Sequence, residues 1–331
     1  MKAIVCNQFG DISGLVVEER PSRPPGAGEV RVKLHAIGLN FPDILMIGGT
    51  YQIKPTLPFI PGMEGAGEIV ECGAGVQGWK VGDKVIVSGP GEPIGLYAEE
   101  ITTALEHLMR MPPGLTYAEA AGYIAIYATG YHGLVQRGAL QPGETLVVHG
   151  ATGGVGTAAV QLGKALGARV IGTGGDDRKL AVVKEIGADE VVNYNTENLR
   201  ERLKALTGGR GADVIYDPVG GDVFEASMRS IKPEGRILVI GATSGTYTPA
   251  KTNHVLVKEV SVIGVLHGNW RMRNPDKFEA NMAVLEGMIA EGKIRPHVGR
   301  KFRLDQAADG LRALANREVV GKAVLQTGAD D

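Results

Sequence analysis

The sequence has little cysteine and no long apolar run. Its two cysteines, Cys6 and Cys72, are too few for a disulfide framework or a multi-cysteine zinc site. No stretch approaches the roughly 20 consecutive apolar residues that span a bilayer. The apolar start, Met1–Val5, is too short for a secretory signal and is typical of a first strand. We therefore expect a cytoplasmic protein without a membrane partner.

An excess of one charge sign is also missing. The 35 Lys and Arg residues nearly balance the 37 Asp and Glu residues, for a formal net charge of -2. A general nucleic-acid binder needs a basic surface to displace counterions from phosphates. We expect no nucleic-acid partner.

Glycine, in contrast, is abundant. It supplies 49 of the 331 residues, which is about twice its ordinary share of about 7%. Proline is ordinary at 17, and no Gly-x-y period is present, which excludes a collagen-like chain. In a chain that is 44% hydrophobic, this much glycine indicates many tight turns between strands and helices. At about 150 residues per domain, the length indicates two domains.

The two parts of the chain have different patterns. Residues 1–120 contain short strand signals separated by turns, which predicts a mostly β domain. From Gly143 onward, strands alternate with amphipathic helices, and such alternation is typical of a doubly wound parallel sheet. The fold class is therefore α/β. Strands of the sheet are predicted at 145–149, 169–173, 190–193, 213–217, 235–240 and 260–265.

The C-terminal segment no longer alternates. It contains a helix over 275–291, a helix over Asp305–Ala315 and a strand over Val319–Gln326, too few elements for a third domain. We expect these elements to complete the first domain. The predicted domains are 1–120 with 267–331, and 121–266.

A glycine-rich turn follows the first strand of the predicted sheet and opens an amphipathic helix. It resembles the G-x-G-x-x-G dinucleotide fingerprint, with Ala151 in place of the first glycine and with Gly153 and Gly156 as the others. Gly153 lets backbone approach a pyrophosphate, and Gly156 lets the helix pack on the strand. The helix N-terminus at Gly154 and Val155 offers N–H groups to the phosphates. This context predicts a dinucleotide site.

The end of the second predicted strand decides which dinucleotide binds. A site for NAD places Asp or Glu there, about 20 residues past the fingerprint, to bond the ribose 2′-hydroxyl. Gly174 stands in that place, and Arg178 and Lys179 follow it. Asp176 and Asp177 favour NAD unless they cap the next helix. The pattern favours NADP(H).

Several motifs together resemble one family over nearly the whole chain. The chain is similar to the zinc-independent, zeta-crystallin-like quinone oxidoreductases of the medium-chain dehydrogenase/reductase superfamily. The resemblance implies a GroES-like catalytic domain joined to a Rossmann domain that binds NADP(H). The motifs are Gly38–Asp43, Pro61–Gly67, Val81–Val85, the fingerprint, Asp217–Gly221 and Gly235–Gly241.

Zinc alcohol dehydrogenases belong to the same superfamily, and their ligands are missing here. They carry Cys where Asn40 stands, His where Met63 stands and another Cys near Ala125. Catalytic zinc needs three N, S or O side chains around an open position. We expect no metal.

Without a Lewis acid, the expected reaction is hydride delivery to a substrate activated by its own conjugation. The resemblance implies that Asn40 lies near the nicotinamide, where its amide can donate to a cofactor or substrate oxygen. Tyr51 aligns with an active-site tyrosine and acts either as a proton donor or as a wall of the site. The family often has a second tyrosine where this chain has Leu45, which leaves the substrate open.

Other cofactor contacts follow from the resemblance. Besides Asn40 and the residues of the fingerprint, they are Thr129, Gly174, Arg178, Lys179, Tyr194, Gly241, Ala242, Ser244, Leu266 and His267.

The expected protein is an NADPH-dependent reductase of a small-molecule quinone or enone. One alternative is an enoyl-thioester reductase acting on acyl-CoA or acyl-carrier substrates. Another is a redox-sensing or RNA-binding protein that binds NADPH with little turnover. We also expect a homodimer, because the last strand of the sheet, Val260–Val265, has an apolar edge that a second copy would cover.

Overall fold

The computed structural model describes residues 1–89 and 94–328. The chain divides into two compact units, of which the first contains Met1–Ala125 and the chain from Pro296 onward. The second unit is Ile126–Arg295. Among the residues that the structure describes, no helix is both long and apolar enough to cross a bilayer.

Strands and helices are numbered along the chain. The strands are β1 Lys2–Cys6, β2 Leu15–Glu19, β3 Glu29–Gly38, β4 Glu64–Cys72, β5 Lys84–Ser88, β6 Glu100–Ala104, β7 Leu108–Arg110, β8 Thr145–Val148, β9 Arg169–Gly174, β10 Glu190–Asn193, β11 Ala212–Asp217, β12 Ile231–Val239, β13 Ser261–Gly264, β14 Val298–Arg303 and β15 Lys322–Gln326. The α-helices are α1 Phe41–Ile47, α2 Tyr117–Ala121, α3 Ile124–Tyr131, α4 Gly154–Ala165, α5 Asp177–Ile186, α6 Leu199–Leu206, α7 Gly221–Ser230, α8 Thr252–Lys258, α9 His267–Arg273, α10 Pro275–Ala290 and α11 Ala307–Ala315.

The first unit is built on an antiparallel sheet, as the short strands before residue 120 predict. Its order is β14-β15-β3-β4-β5-β7, with β6 also paired to β3. The long strand β3 alternates between buried and less buried residues, and Val30, Val32 and Leu34 on one face enter the core. The C-terminal strands β14 and β15 extend this sheet, and β15 lies beside residues 36–38 of β3.

The second unit confirms the predicted doubly wound sheet. Its six strands are all parallel, in the order β10-β9-β8-β11-β12-β13. The first strand in sequence, β8, lies between β9 and β11, so the strand order reverses there. Ligands of such sheets bind at the carboxyl ends of the strands beside this reversal.

The predicted domain boundary at 267 is wrong, because residues 267–295 belong to the second unit. Helix α10 buries Phe278, Met282 and Leu285, and the amide of Gln136 donates to Asn281 Oδ1 at 2.9 Å. The helices after β13 therefore cover the second unit, although the strand–helix alternation has ended. The other boundary lies at 125 instead of 120.

Local sequence explains where several helices begin and end. Asp176 caps α5 by accepting from the backbone N–H of Lys179. Gly167 and Gly187 follow α4 and α5 with φ of 82° and 133°, values that glycine adopts without the steric cost of a side chain. Both helices thus end at the glycines that the sequence indicates.

Candidate active site

The glycine fingerprint lies where the pattern predicts, between β8 and α4. Gly153 is the N-cap of α4, and the helix begins with Gly154, Val155 and Gly156. The first N–H groups of an α-helix have no carbonyl partner within the helix. The turn therefore presents backbone donors and the positive end of the helix dipole to an anion.

The surroundings of the two glycines of the fingerprint differ. A Cβ at Gly156 would collide with the carbonyl oxygen of Gly150 and lie 2.7 Å from Ala151 Cα, so close packing of helix on turn requires glycine there. A Cβ at Gly153 would meet only Gly150 O, at 3.5 Å, and its φ of -83° suits any residue. Neither packing nor backbone strain requires glycine at position 153, and the approach of a phosphate to this backbone stays a prediction.

A buried histidine supports this turn from behind. His149 follows β8, and its ring nitrogens lie 2.8 Å from Thr173 Oγ1 and 2.8 Å from Ser227 Oγ. Burial lowers the pKa of His149, so the ring stays neutral. It ties β9 and α7 to the strand before the fingerprint, which is a structural role.

The end of β9 matches the pattern for NADP(H). Gly174 is the last residue of the strand, and no acidic side chain stands there. Asp176 is engaged as the cap of α5, and Asp177 accepts from Asn193 Nδ2 at 2.8 Å. Arg178 is exposed and Lys179 is half-buried in the first turn of α5. The two aspartates thus have partners within the fold.

Tyr194 lies beside this strand end. Its backbone N–H donates to Gly174 O at 3.0 Å. A Cβ at Gly175 would lie 3.1 Å from the Tyr194 ring, so the ring lies over a glycine backbone. The structure therefore brings Gly174 and Tyr194 together at one edge of the sheet.

The turns after β11 and β12 are bonded to each other. Asp217 Oδ1 accepts from the backbone N–H of Val219 at 2.8 Å, so Asp217 stabilises a turn. Ser244 N donates to Val219 O at 3.0 Å, in the loop that also contains Gly241 and Ala242. These three predicted contact residues lie at the same carboxyl edge as the fingerprint.

The two predicted contact residues after β13 differ in their exposure to solvent. Leu266 is exposed. His267 begins α9, and its ring packs among the rings of His132, Trp270 and Phe278, with centroid distances of 5.7–6.1 Å. Burial lowers the pKa of His267 to about 3, so this ring is neutral. Its side chain is part of a packed aromatic cluster.

Thr129 lies on α3 and is half-buried. Its neighbour Gly130 is required by packing, because a Cβ there would lie 2.7 Å from Leu162 Cδ1. Helix α3 therefore packs closely on α4, the helix that the fingerprint opens.

In the first unit, Asn40 is the centre of a buried polar network. Its Nδ2 donates to Glu64 Oε1 at 3.0 Å and makes a longer contact of 3.4 Å with Gly38 O. Its Oδ1 accepts from Lys322 Nζ at 2.9 Å. The Asn40 amide, which we expect to donate to a ligand, is thus already bonded within the protein. One of its two N–H groups, the one near Gly38 O, is held only weakly.

A second buried carboxyl group lies next to Asn40. Asp43 Oδ2 accepts from the backbone N–H of Asn40 at 2.8 Å and from the Tyr97 hydroxyl at 2.9 Å. Its other oxygen has no hydrogen-bond partner within residues 1–89 and 94–328. Burial raises the pKa of Asp43 to about 7, so this carboxyl titrates near neutrality.

Tyr51 lies beyond the other end of α1. Its backbone N–H donates to Leu45 O at 3.1 Å, in the turn that closes the helix, and its side chain is half-buried. Seven residues of helix span about 10 Å, so Asn40 and Tyr51 are held at opposite ends of one short element.

Two residues of this network, Glu64 and Lys322, were not predicted from the sequence. Glu64 lies within the motif Pro61–Gly67 but was not expected to have a role of its own, and Lys322 was not singled out. A signal was available, because Lys322 interrupts the apolar run of the last strand, and lysine is almost never fully buried unless it is paired.

The comparisons with known proteins agree with this architecture. Models for the alcohol dehydrogenase GroES-like domain and for zinc-binding dehydrogenase match residues 26–132 and 154–286. The quinone oxidoreductase-like protein 2 homolog of Nematostella vectensis is 37% identical over 330 residues, which cover 98% of this chain and 89% of that protein. The quinone oxidoreductase of Pseudomonas aeruginosa is 37% identical over 313 residues, 94% of this chain and 95% of that one.

Among solved structures, Escherichia coli quinone oxidoreductase complexed with NADPH superposes with a TM-score of 0.90. The two are 30% identical, and the match covers 99% of this chain and 100% of that one. This chain belongs to the medium-chain dehydrogenase/reductase superfamily and, within it, to the quinone oxidoreductase-like oxidoreductases. Two solved structures of this fold, 31% and 30% identical to this chain, are complexed with NADPH.

One matching family model is named for zinc-binding dehydrogenases, but a zinc ion does not fit the corresponding position in this chain. Asn40, Met63 and Ala125 offer no set of three zinc-ligating side chains. The ammonium of Lys322 lies 2.9 Å from Asn40 Oδ1, where it would repel a cation. Within the described part of the chain, no group of three or more His, Cys, Asp or Glu side chains could hold a metal ion.

Proposed function

We propose that this chain uses NADPH to transfer a hydride, without a metal, to quinones or other α,β-unsaturated carbonyl compounds. The end of β9 carries the proposal: Gly174 replaces the acidic residue that selects NAD, Asp176 is engaged as a helix cap, and Lys179 follows in the first turn of α5. The NADPH of the related E. coli structure supports the same cofactor.

Bound NADPH supplies a hydride to an electron-poor carbon of the substrate. A conjugated acceptor needs no Lewis acid, because its own π-system moves the new charge to oxygen. The chain's task is to bind the phosphates at the start of α4 and to stabilise that oxygen. The weakly held N–H of Asn40 and the hydroxyl of Tyr51 are the donors we assign to it.

A substrate panel tests the proposal. Initial rates are measured with NADPH and with NADH on a benzoquinone, an enone and crotonyl-CoA, each with and without EDTA. We expect NADPH to be oxidised with the quinone and the enone, with unchanged rates in EDTA. A rate that falls in EDTA and returns with zinc would contradict the metal-free mechanism.

The same panel distinguishes the alternatives. Turnover of crotonyl-CoA far above that of quinone and enone would identify an enoyl-thioester reductase. Quenching of NADPH fluorescence on binding, without turnover of any acceptor, would identify a cofactor-binding sensor or an RNA-binding protein.

A further inference from the structure

The first unit contains a buried ion pair that the proposed reaction does not use directly. Lys322 Nζ lies 2.8 Å from Glu64 Oε1, and the side chains are 3% and 1% exposed. Removing two charges from water costs free energy, and the attraction within a buried pair commonly does not offset this cost. Apolar side chains packed in their place often give a protein of equal stability. Stability alone therefore does not account for this pair.

The pair determines the orientation of Asn40. Besides Glu64, the ammonium of Lys322 donates to Leu39 O at 2.9 Å and to Asn40 Oδ1 at 2.9 Å. Its three N–H groups thus have three acceptors. Since Glu64 Oε1 accepts from Asn40 Nδ2, the amide has one orientation, with its oxygen toward Lys322 and its nitrogen toward Glu64.

The other oxygen of Glu64 binds the start of a helix. Glu64 Oε2 accepts from the backbone N–H of Ala125 at 2.9 Å. Ala125 lies in the first turn of α3, whose free N–H groups favour a carboxylate. Thr129, a predicted cofactor contact, is one turn further along this helix.

Two glycines leave space for the pair. A Cβ at Gly38 would collide with the carbonyl oxygen of Ala121 and would also lie 2.8 Å from Glu64 Oε1. A Cβ at Gly122 would lie 3.1 Å from Lys322 Cγ. Neither glycine has a positive φ, so the ion pair and the adjacent backbone, not a turn, require them.

We propose that Lys322 and Glu64 are positioning residues for hydride transfer. They hold the Asn40 amide in one orientation, in which its weakly held N–H can donate to the substrate oxygen. This inference rests on the proposed function.

The test removes both charges together, because a single substitution leaves an unpaired buried charge that unfolds many proteins. The variant is Lys322→Met with Glu64→Gln. The measurements are the melting temperature, the NADPH dissociation constant from fluorescence quenching, and kcat and KM with a quinone. The control is Arg236→Met with Glu144→Gln. It replaces a half-buried ion pair at the amino ends of the strands of the parallel sheet.

We expect the paired variant to keep its melting temperature and its NADPH affinity, and to lose about tenfold or more in kcat, since small misplacement of a reacting group costs that much. Adding Asn40→Ala should lower kcat no further, because Lys322 and Glu64 act through Asn40. The control pair should leave kcat unchanged. If the paired variant does not fold, Gly122→Ala replaces it, because its methyl group displaces Lys322 while both charges stay.

For Gly122→Ala we expect kcat to fall by roughly two- to tenfold at constant NADPH affinity. If the wild type is active, the inference is overturned when the folded test variant has the same kcat as the wild type. It is also overturned when Asn40→Ala, added to the paired variant, lowers kcat by a full further loss. If the wild type oxidises no NADPH with any acceptor, the proposed function fails, and this inference fails with it.

Discussion

At the scale of residues, the preference between the two nicotinamide cofactors depends on a few side chains after β9. Asp176 and Asp177 are bonded to the fold, and Arg178 and Lys179 are the cationic side chains in the first turn of the same helix. This arrangement gives the cofactor proposal a direct test.

Replacing Lys179 by alanine should weaken NADPH binding and leave NADH binding nearly unchanged. A charge-assisted hydrogen bond contributes roughly 1.5–3 kcal/mol, which corresponds to about ten- to hundredfold in affinity. Fluorescence titration with both cofactors measures this. Lys184→Ala, near the other end of α5, is the control and should bind both like the wild type. Equal losses for both cofactors in Lys179→Ala would contradict the assignment.

Tyr51 has two possible roles, which depend on the substrate. Hydride addition to an enone leaves an aliphatic enolate, which a nearby hydroxyl donor stabilises, whereas a reduced quinone is already a stabilised aromatic anion. Tyr51→Phe should therefore lower turnover of an enone by about 10²-fold, quinone turnover far less, and NADPH affinity hardly at all. Steady-state kinetics on both substrates measure this. Equal small losses would show that Tyr51 only lines the site.

Asp43 should make stability depend on pH. Burial raises its pKa to about 7, while Tyr97, Glu64 and Lys322 also face it. Between about pH 4 and pH 7 the folded chain holds a proton that the unfolded chain has released, so Asp43 lowers stability as the pH rises.

Asp43→Asn, which mimics the protonated carboxyl, removes this dependence. Relative to the wild type, its free energy of unfolding should rise by about 2–3 kcal/mol between pH 5 and pH 8. Urea unfolding at both pH values measures this, and the exposed Asp276→Asn is the control. A difference that is the same at both pH values would show that Asp43 ionises normally.

At the scale of elements, substitutions in the fingerprint turn distinguish a glycine needed for packing from one expected to be needed for binding. Gly156→Ala places a methyl group against the backbone of Gly150 and Ala151, and overpacking of this kind costs roughly 1–3 kcal/mol. Gly153→Ala has room and should change stability by about 1 kcal/mol or less.

Gly153→Ala should nevertheless lower NADPH affinity about tenfold or more, because its methyl group occupies the space through which a phosphate reaches the helix N-terminus. Chemical unfolding without cofactor and fluorescence titration with NADPH together test the pair of variants. The interpretation would be wrong if Gly153→Ala bound NADPH like the wild type, or if both variants lost equal stability.

At the scale of the whole molecule, we propose that two copies pair through β13. This strand lies at the edge of the parallel sheet, and Val262 on it is partly exposed. Leu256 and Val257 on the neighbouring α8 are 77% and 82% exposed. An apolar edge of this kind invites pairing with another strand, and a two-fold axis would cover both edges.

Light scattering at micromolar concentration should give the mass of a dimer. Val262→Lys should shift the mass to that of a monomer, because a charge on the edge strand opposes pairing. Val81→Lys, on an exposed turn of the first unit, should remain dimeric. A wild-type chain with only monomer mass would contradict the proposal.

Much of the second unit could be predicted because its signals are local. Each strand of the parallel sheet is a short apolar run, and each helix has a period of 3.6 and often a glycine or a cap at its end. The fingerprint also carries its context within a few residues, so the positions of Gly153, Gly156 and Gly174 at the turn and the strand end could be predicted before the fold was known. The assignment of 267–295 failed because α10 has no local signal for the unit on which it packs.

By itself, the sequence determined the fold class, the family and the glycine-rich turn before α4, since these depend on neighbours along the chain. Only the tertiary structure decided what surrounds Asn40. Glu64 and Lys322 are 258 residues apart, and no periodicity relates a carboxylate at the start of β4 to an ammonium at the start of β15. They meet because β15 and β4 both pair with β3. In the core they form, neither charge is tolerated without the other.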